Sequence, residues 1–256
     1  MPDLTLLEAD EPAPVVVHNG DGVSPIFLTC DHAGRRIPQR LGDLGLPASE
    51  LERHIAWDIG ALVVTRLLSD ALNAPLVEQV YSRLVVDCNR PARSPTFIAP
   101  LSESTPIPGN LDLSAEEIAA REREIYRPYH ARITQMLDAR KAAAKPTVLI
   151  AMHSFTPTYK GDARPWQIGL LYNRDRRMAT ILHELLAKTG LCVGDNEPYA
   201  ITDDSDYGIP VHGEQRGLPH IEIEIRQDLI DGEAGQREWA ERLAPMFKAA
   251  AERVLA

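Results

Sequence analysis

The chain has 256 residues, 44% hydrophobic and 25% charged, the balance of a globular protein with a sizeable core. Its formal net charge of -10 argues against broad nucleic-acid binding, which relies on concentrated Lys and Arg, but leaves room for a small anionic substrate held by local arginines. No stretch is apolar long enough to cross a bilayer. The segment to Gly22, with Asp3, Glu8, Asp10 and Glu11, lacks the basic start and apolar run of a secretory signal, and Cys30, Cys88 and Cys192 are too scattered for a disulfide framework. A reducing, cytoplasmic setting is expected, with no membrane partner.

Along the chain, residues 26–30 form a first β-type run, closed by Asp31-His32-Ala33-Gly34. Ser49 and Glu52 have capping-box spacing, and Leu51, Ile55, Ile59, Leu62, Val63 and Leu67 then recur as one helical face. Residues 76–81 and 84–87 read as strands, and 91–110, rich in Pro and Ser, as a loop. A second capping box, Ser114 and Glu117, opens a helix marked by Ile118, Ile125, Tyr129, Ile133 and Leu137, which Pro128 should kink. Strands follow at 148–152 and 168–172, then a helix over 176–188 that stops at Gly190. Residues 199–219, rich in Asp, Gly and Pro, read as a loop, 221–226 as a strand, and a helix runs from about Gly235. This interleaving predicts a single domain over 1–256, a three-layer α/β/α fold with a mixed, mainly parallel sheet.

His32 and His153 each leave a predicted strand end, where the crevice of a parallel α/β sheet binds ligands. Two directed imidazoles at such ends are candidate ligands for one divalent metal ion, with Zn2+ the expected identity. A catalytic zinc takes a third protein ligand. Position 35 is arginine, so the compact His-x-x-Glu arrangement is absent. Asp58, a carboxylate interrupting an apolar helix, is the preferred third ligand; His54, one turn earlier, is the alternative, or the residue that holds Asp58.

The run Ile221-Glu222-Ile223-Glu224-Ile225-Arg226 alternates, placing three ionisable groups on one face. If that face meets the crevice, Glu224 serves as general base and Arg226 holds an anion or orients the base; Glu224 is preferred over Glu222 because it lies nearer the strand's C-terminal end. Asn89-Arg90-Pro91 offers a guanidinium able to grip a carboxylate through two parallel hydrogen bonds, unless Arg90 merely pairs with Asp87. Arg164, Asn196, Tyr199 and His212 lie in long connections that would line a pocket or form a lid. A cysteine nucleophile at Cys30 or Cys88 is the weaker chemistry, because a neighbouring base on a strand points the other way.

Together these blocks resemble the N-formylglutamate amidohydrolases, zinc-dependent hydrolases related in fold to the zinc carboxypeptidases. The resemblance runs through Thr29 to Gly34 with Ile37-Pro38, Ala56 to Ala61, Val86 to Pro91, His153 to Pro157 and Glu222 to Leu229. It implies a carboxypeptidase-like fold and hydrolysis of N-formyl-L-glutamate, or a related N-acyl amino acid, to formate and L-glutamate, a late step of histidine breakdown. In that reading His32, His153 and Asp58 hold zinc, which polarises the formyl oxygen and activates water. Glu224 takes the water's proton and passes it to the departing amine. Asn89, Arg90, Arg164 and Arg226 bind the substrate. A carboxypeptidase-type peptidase and a non-catalytic binder of small acidic ligands are the competing readings, separated by metal content and by formate release.

Overall fold

A computed structural model describes residues 4–256; Asp3 of the acidic N-terminal segment lies outside them. In chain order the elements are β1 (Val15–His18), β2 (Ile26–Cys30), α1 (Ala48–Leu51), α2 (Ala61–Leu72), β3 (Leu76–Gln79), the hairpin β4 (Leu101–Ser102) and β5 (Thr105–Pro106), α3 (Ala115–Arg121) and α4 (Arg127–Ala142). Then come β6 (Val148–Phe155), the hairpin β7 (Thr158–Tyr159) and β8 (Asp162–Ala163), β9 (Ile168–Leu171), α5 (Arg177–Leu186), β10 (Val193–Asp195), β11 (His220–Arg226) and α6 (Glu233–Leu255).

Seven strands form one sheet in the order β1-β3-β2-β6-β11-β9-β10. β3, β2, β6 and β11 run parallel, β1 is antiparallel to β3, and β9 is antiparallel to β11. The fold is therefore a mixed, mainly parallel sheet between two helical layers, as the interleaved pattern predicts. Ile26, Leu28, Ile150, Ile221, Ile223 and Ile225 point to the layer of α2, α5 and α6. Phe27, Val77, Leu149, Ala151 and Leu171 point to α3, α4 and the irregular segment that follows β3. From β2 the chain moves to β3 on one side, whereas β6 lies on the other. A crevice opens at the C-terminal ends of such diverging strands.

Three sequence expectations fail for physical reasons. The helix expected through Leu51 to Leu67 is two helices with an irregular link, because Asp58 N–H donates to His32 O (3.0 Å) and Ala56 O accepts from Ser82 Oγ (2.6 Å). Gly60 then turns the chain into α2 with φ of +79°, and a Cβ there would stand 2.1 Å from Ile230 O. Tertiary bonds thus override local periodicity. Neither does the Ser49 box form: Pro47 precedes α1 with no side-chain cap. Residues 84–87 are not a strand, since Leu84 O accepts from Asn110 Nδ2 (2.8 Å) and Val85 O from the buried Arg121 (3.0 Å). Near Pro128 the strain is absorbed by a π-helical turn, Glu122–Tyr126, so that proline sits in the first turn of α4. The Ser114 box does form, with Glu117 N–H donating to Ser114 Oγ at 3.2 Å. Among the described residues no helix is long and apolar enough to cross a membrane.

Candidate active site

Strand register brings the site together. β6 pairs with β11 so that His153 lies opposite Glu224, and His32 follows the end of β2, the neighbour on the other side of β6. The link between α1 and α2 delivers Asp58. One ligand atom each of His32, Asp58 and His153 lies within 4.8 Å of the others, and all three residues are buried. The two rings stand 5.0 Å apart, centroid to centroid. Both Nδ1 atoms approach the same oxygen: His153 Nδ1 lies 2.9 Å and His32 Nδ1 3.4 Å from Asp58 Oδ2.

The far nitrogens turn towards other carboxylates. His32 Nε2 lies 2.7 Å from Asp87 Oδ1, and Arg83 clamps Asp87 Oδ2 through Nε and Nη2 at 3.0 and 2.6 Å. His153 Nε2 lies 3.8 Å from both Asp31 Oδ2 and Glu222 Oε2. Among the described residues, His32 Nδ1 is buried without a hydrogen-bond partner, a costly state that a cation would relieve. Two imidazoles and a carboxylate converging, with the His32 ring backed by Asp87, make a donor set that fits a divalent cation such as Zn2+.

The electrostatics follow from these contacts. Burial opposes charge on Asp58, yet His32 and His153 hold its carboxyl well below the usual carboxylate range. Burial and Arg83 pull the His32 pKa down, but Asp87 and Asp58 outweigh them and raise it. His153 is raised more strongly against burial, by Glu222, Asp58 and Asp31. Glu224 is pushed well up by burial, with Asp58 and Glu222 adding repulsion and His153 opposing. Glu222 rises to about 7, chiefly through burial. Of the two acids, Glu224 has a buried oxygen, Oε2, with no partner among the described residues, whereas Glu222 Oε2 accepts from Asn89 Nδ2 at 3.3 Å.

The ligand triangle, Asp87, Glu222 and Glu224 line a cavity of about 640 Å3, which Arg83, Asn89, Arg90 and Arg164 also reach. Asp87 takes Arg83, not Arg90, as its guanidinium partner. Arg90 reaches Asn89 O at 3.0 Å and Asp206 Oδ1 at 3.5 Å, and its side chain stays 24% exposed. The Asn89 side chain is engaged at both ends: its amide donates to Asp206 and Glu222, and its oxygen accepts from the N–H groups of Tyr207 and Gly208. Arg164 is buried, with its guanidinium 4.5 Å from the Tyr159 ring and 4.8 Å from the Tyr199 ring, and donates to Tyr199 Oη at 2.8 Å. Among the described residues it has no carboxylate partner within 4.0 Å.

Two expectations need correction. Arg226 does not line the cavity; as the last residue of β11 it pairs with Asp228 at 2.8 Å, because the strand ends and the following turn offers a carboxylate two residues on. His54 lines the cavity but stands outside the ligand triangle, with Nε2 3.6 Å from Glu103, because the helix that would align it with Asp58 is broken.

A sheet-level device makes room beside Glu224. In register with it lie Gly169 of β9 and, next, Gly194 of β10. Cβ atoms there would come within 2.2 and 2.6 Å of Glu197 O, so only glycine lets the chain cross the sheet and bring Tyr199 to the cavity. Sequence reading missed this crossing, together with Asp31, Asp206 and Tyr159 as part of the site. Asp31 adjoins His32 and was the most findable of them.

The model of the N-formylglutamate amidohydrolase family matches residues 24–231, a span that contains every residue of this cavity. The chain belongs to that family. As an N-formylglutamate amidohydrolase family member it is a hydrolase acting on amides. A solved structure of a gene product from Agrobacterium tumefaciens is 39% identical, covers 98% of this chain and 100% of its own, and superposes with a TM-score of 0.95. The N-formylglutamate amidohydrolase from Ralstonia eutropha JMP134 is 17% identical over 95% of this chain and 99% of its own, with a TM-score of 0.70, and so shares the fold. No curated protein matches the chain.

Proposed function

We propose that this family member, a single domain over residues 1–256, is a zinc-dependent cytoplasmic amidohydrolase that cleaves N-formyl-L-glutamate or a close N-acyl amino acid to formate and L-glutamate, as in histidine breakdown. The observation that carries this reading is the ligand triangle of His32, Asp58 and His153, set in the same cavity as Glu224. A divalent cation held there supplies Lewis acidity that polarises a carbonyl and lowers the pKa of water to about 7. The free cysteines Cys30, Cys88 and Cys192 suit a reducing compartment.

The chain's own residues divide the remaining work. Glu224 accepts a proton from the attacking water at its unpartnered Oε2 and returns it to the amine nitrogen as the C–N bond breaks. Burial raises its proton affinity, and a cation bound beside it would offset that rise and keep it ionised to accept the proton. Arg90, with Asn89 fixing its turn, takes the α-carboxylate. Arg164, held rigid between two tyrosines and lacking a carboxylate of its own, takes the side-chain carboxylate; this favours an acidic amino acid over a neutral one. Asp87 and Arg83 keep the His32 ring in one orientation.

The test is formate release from N-formyl-L-glutamate before and after chelation. Activity disappears in the stripped protein and returns with about one equivalent of Zn2+. Undiminished release after stripping overturns the metal reading. Cleavage of peptides with free C-termini in place of formyl release makes the chain a peptidase.

A further inference from the structure

Outside the cavity, the described residues hold a second pair of buried imidazoles, His130 on α4 and His212 on the π-helical turn Gly208–Glu214. His130 Nε2 lies 2.9 Å from Cys88 O and His130 Nδ1 lies 2.9 Å from His212 Nε2. A carbonyl oxygen only accepts, so the His130 proton sits on Nε2 and its Nδ1 is a lone pair. His212 must then donate from Nε2, which leaves its Nδ1 as a second lone pair. That atom is buried with no partner among the described residues, and as a lone pair it leaves no N–H without an acceptor. Burial holds both rings neutral: His130 is pushed well below its usual value and His212 down to about 3.

The relay touches both sides of Asn89. On one side Cys88 precedes it in the chain. On the other, the turn that carries His212 begins at Gly208, whose N–H and that of Tyr207 donate to Asn89 Oδ1 at 3.0 and 3.2 Å. His130 itself is wedged 4.4 Å from each of the Tyr126 and Tyr207 rings. It does not line the cavity.

We infer that His130 is a positioning residue: with His212 it locks the Cys88–Arg90 turn against the Tyr207–Gly208 amides and so fixes Asn89 and Arg90 for a substrate carboxylate. The part concerning substrate rests on the hydrolytic reading above; the lock itself does not. His130→Phe keeps a flat ring between the tyrosines and deletes the Cys88 bond. His130→Gln can restore that bond, because a glutamine amide donor reaches about as far as Nε2.

Amide hydrogen exchange and steady-state kinetics decide it together. In His130→Phe, exchange at 88–90 and 207–208 quickens about tenfold or more while β2 stays as in the wild type. KM for N-formyl-L-glutamate rises about tenfold with kcat within about twofold, and His130→Gln reverses both changes. Unchanged exchange in those two segments overturns the lock. Faster exchange with an unchanged KM, or a loss of kcat that tracks metal content, overturns the positioning role. Should the wild type release no formate, the hydrolytic reading fails and exchange still decides the lock; should His130→Phe not fold, His130→Gln compared with His212→Phe supplies the same two readouts.

Discussion

Two pairs of buried histidines stand at nearly the same separation, His32 with His153 at 5.0 Å and His130 with His212 at 5.2 Å between ring centroids. Their surroundings differ in kind. The first pair meets Asp58, Asp87, Asp31 and Glu222; the second meets two tyrosine rings and a backbone carbonyl. Burial acts on all four rings in the same direction, so partners decide the outcome. Carboxylates raise the first pair, whereas burial keeps the second neutral. Consecutive residues serve the two: the Asp87 side chain takes His32, and the Cys88 carbonyl takes His130.

The largest contrast comes from deleting one imidazole in each pair. His153→Ala should lose bound metal and at least about 1,000-fold in kcat/KM, roughly 4 kcal/mol, whereas His130→Phe retains full metal content. Metal analysis beside formate release checks this, and equal metal loss in both variants would erase the distinction. Next, Glu224→Gln should keep the metal and lose about 100- to 10,000-fold in kcat. Arg164→Met should reduce the preference for N-formyl-L-glutamate over N-formyl-L-glutamine about 10- to 100-fold, read as a ratio of kcat/KM values.

Protons give the finer tests. Because carboxylates raise His32 and His153, metal entry must displace protons, and affinity should climb with pH. Calorimetry in buffers of different ionisation enthalpy counts the protons released. The second pair predicts a stability effect of definite sign. His212 has a folded pKa of about 3, below its value of about 6.5 in the unfolded chain, so the unfolded state binds more protons in between. Its contribution is complete above about pH 6.5 and fades as pH falls towards about 3. Acid titration of His212→Phe should be less steep over that window than that of the wild type.

Much of the architecture could be read from the sequence because burial on alternate faces is a local signal. The isoleucines of β11 and the apolar runs before His32 and His153 placed three neighbouring strands and the residues at their ends. What escaped depends on distant partners. Nothing within the sequence around Asp58 reveals that His32 O claims its N–H, so the helical periodicity runs straight through it. Residues 84–87 look like a strand until Asn110 and Arg121 take their carbonyls. Arg226 shares the alternation of Glu222 and Glu224 but lies at the strand's last position, where Asp228 reaches it. His212 was one polar residue in a long connection, and only the fold brings it to His130.

The reversed direction of β9 has a further meaning. Since its first residue, Ile168, pairs with Ile225 near the end of β11, the chain leaving β6 passes through the β7–β8 hairpin and enters β9 without a covering helix. The hairpin tip at Lys160 and Gly161 is exposed, and Tyr159 and Arg164 flank the turn. On the proposed reading, in which Arg164 meets the substrate, insertions or exchanges in this short excursion would retune which amino acid is recognised while every sheet ladder stays intact. Divergence in specificity should therefore accumulate between residues 156 and 167, ahead of any change in the histidines.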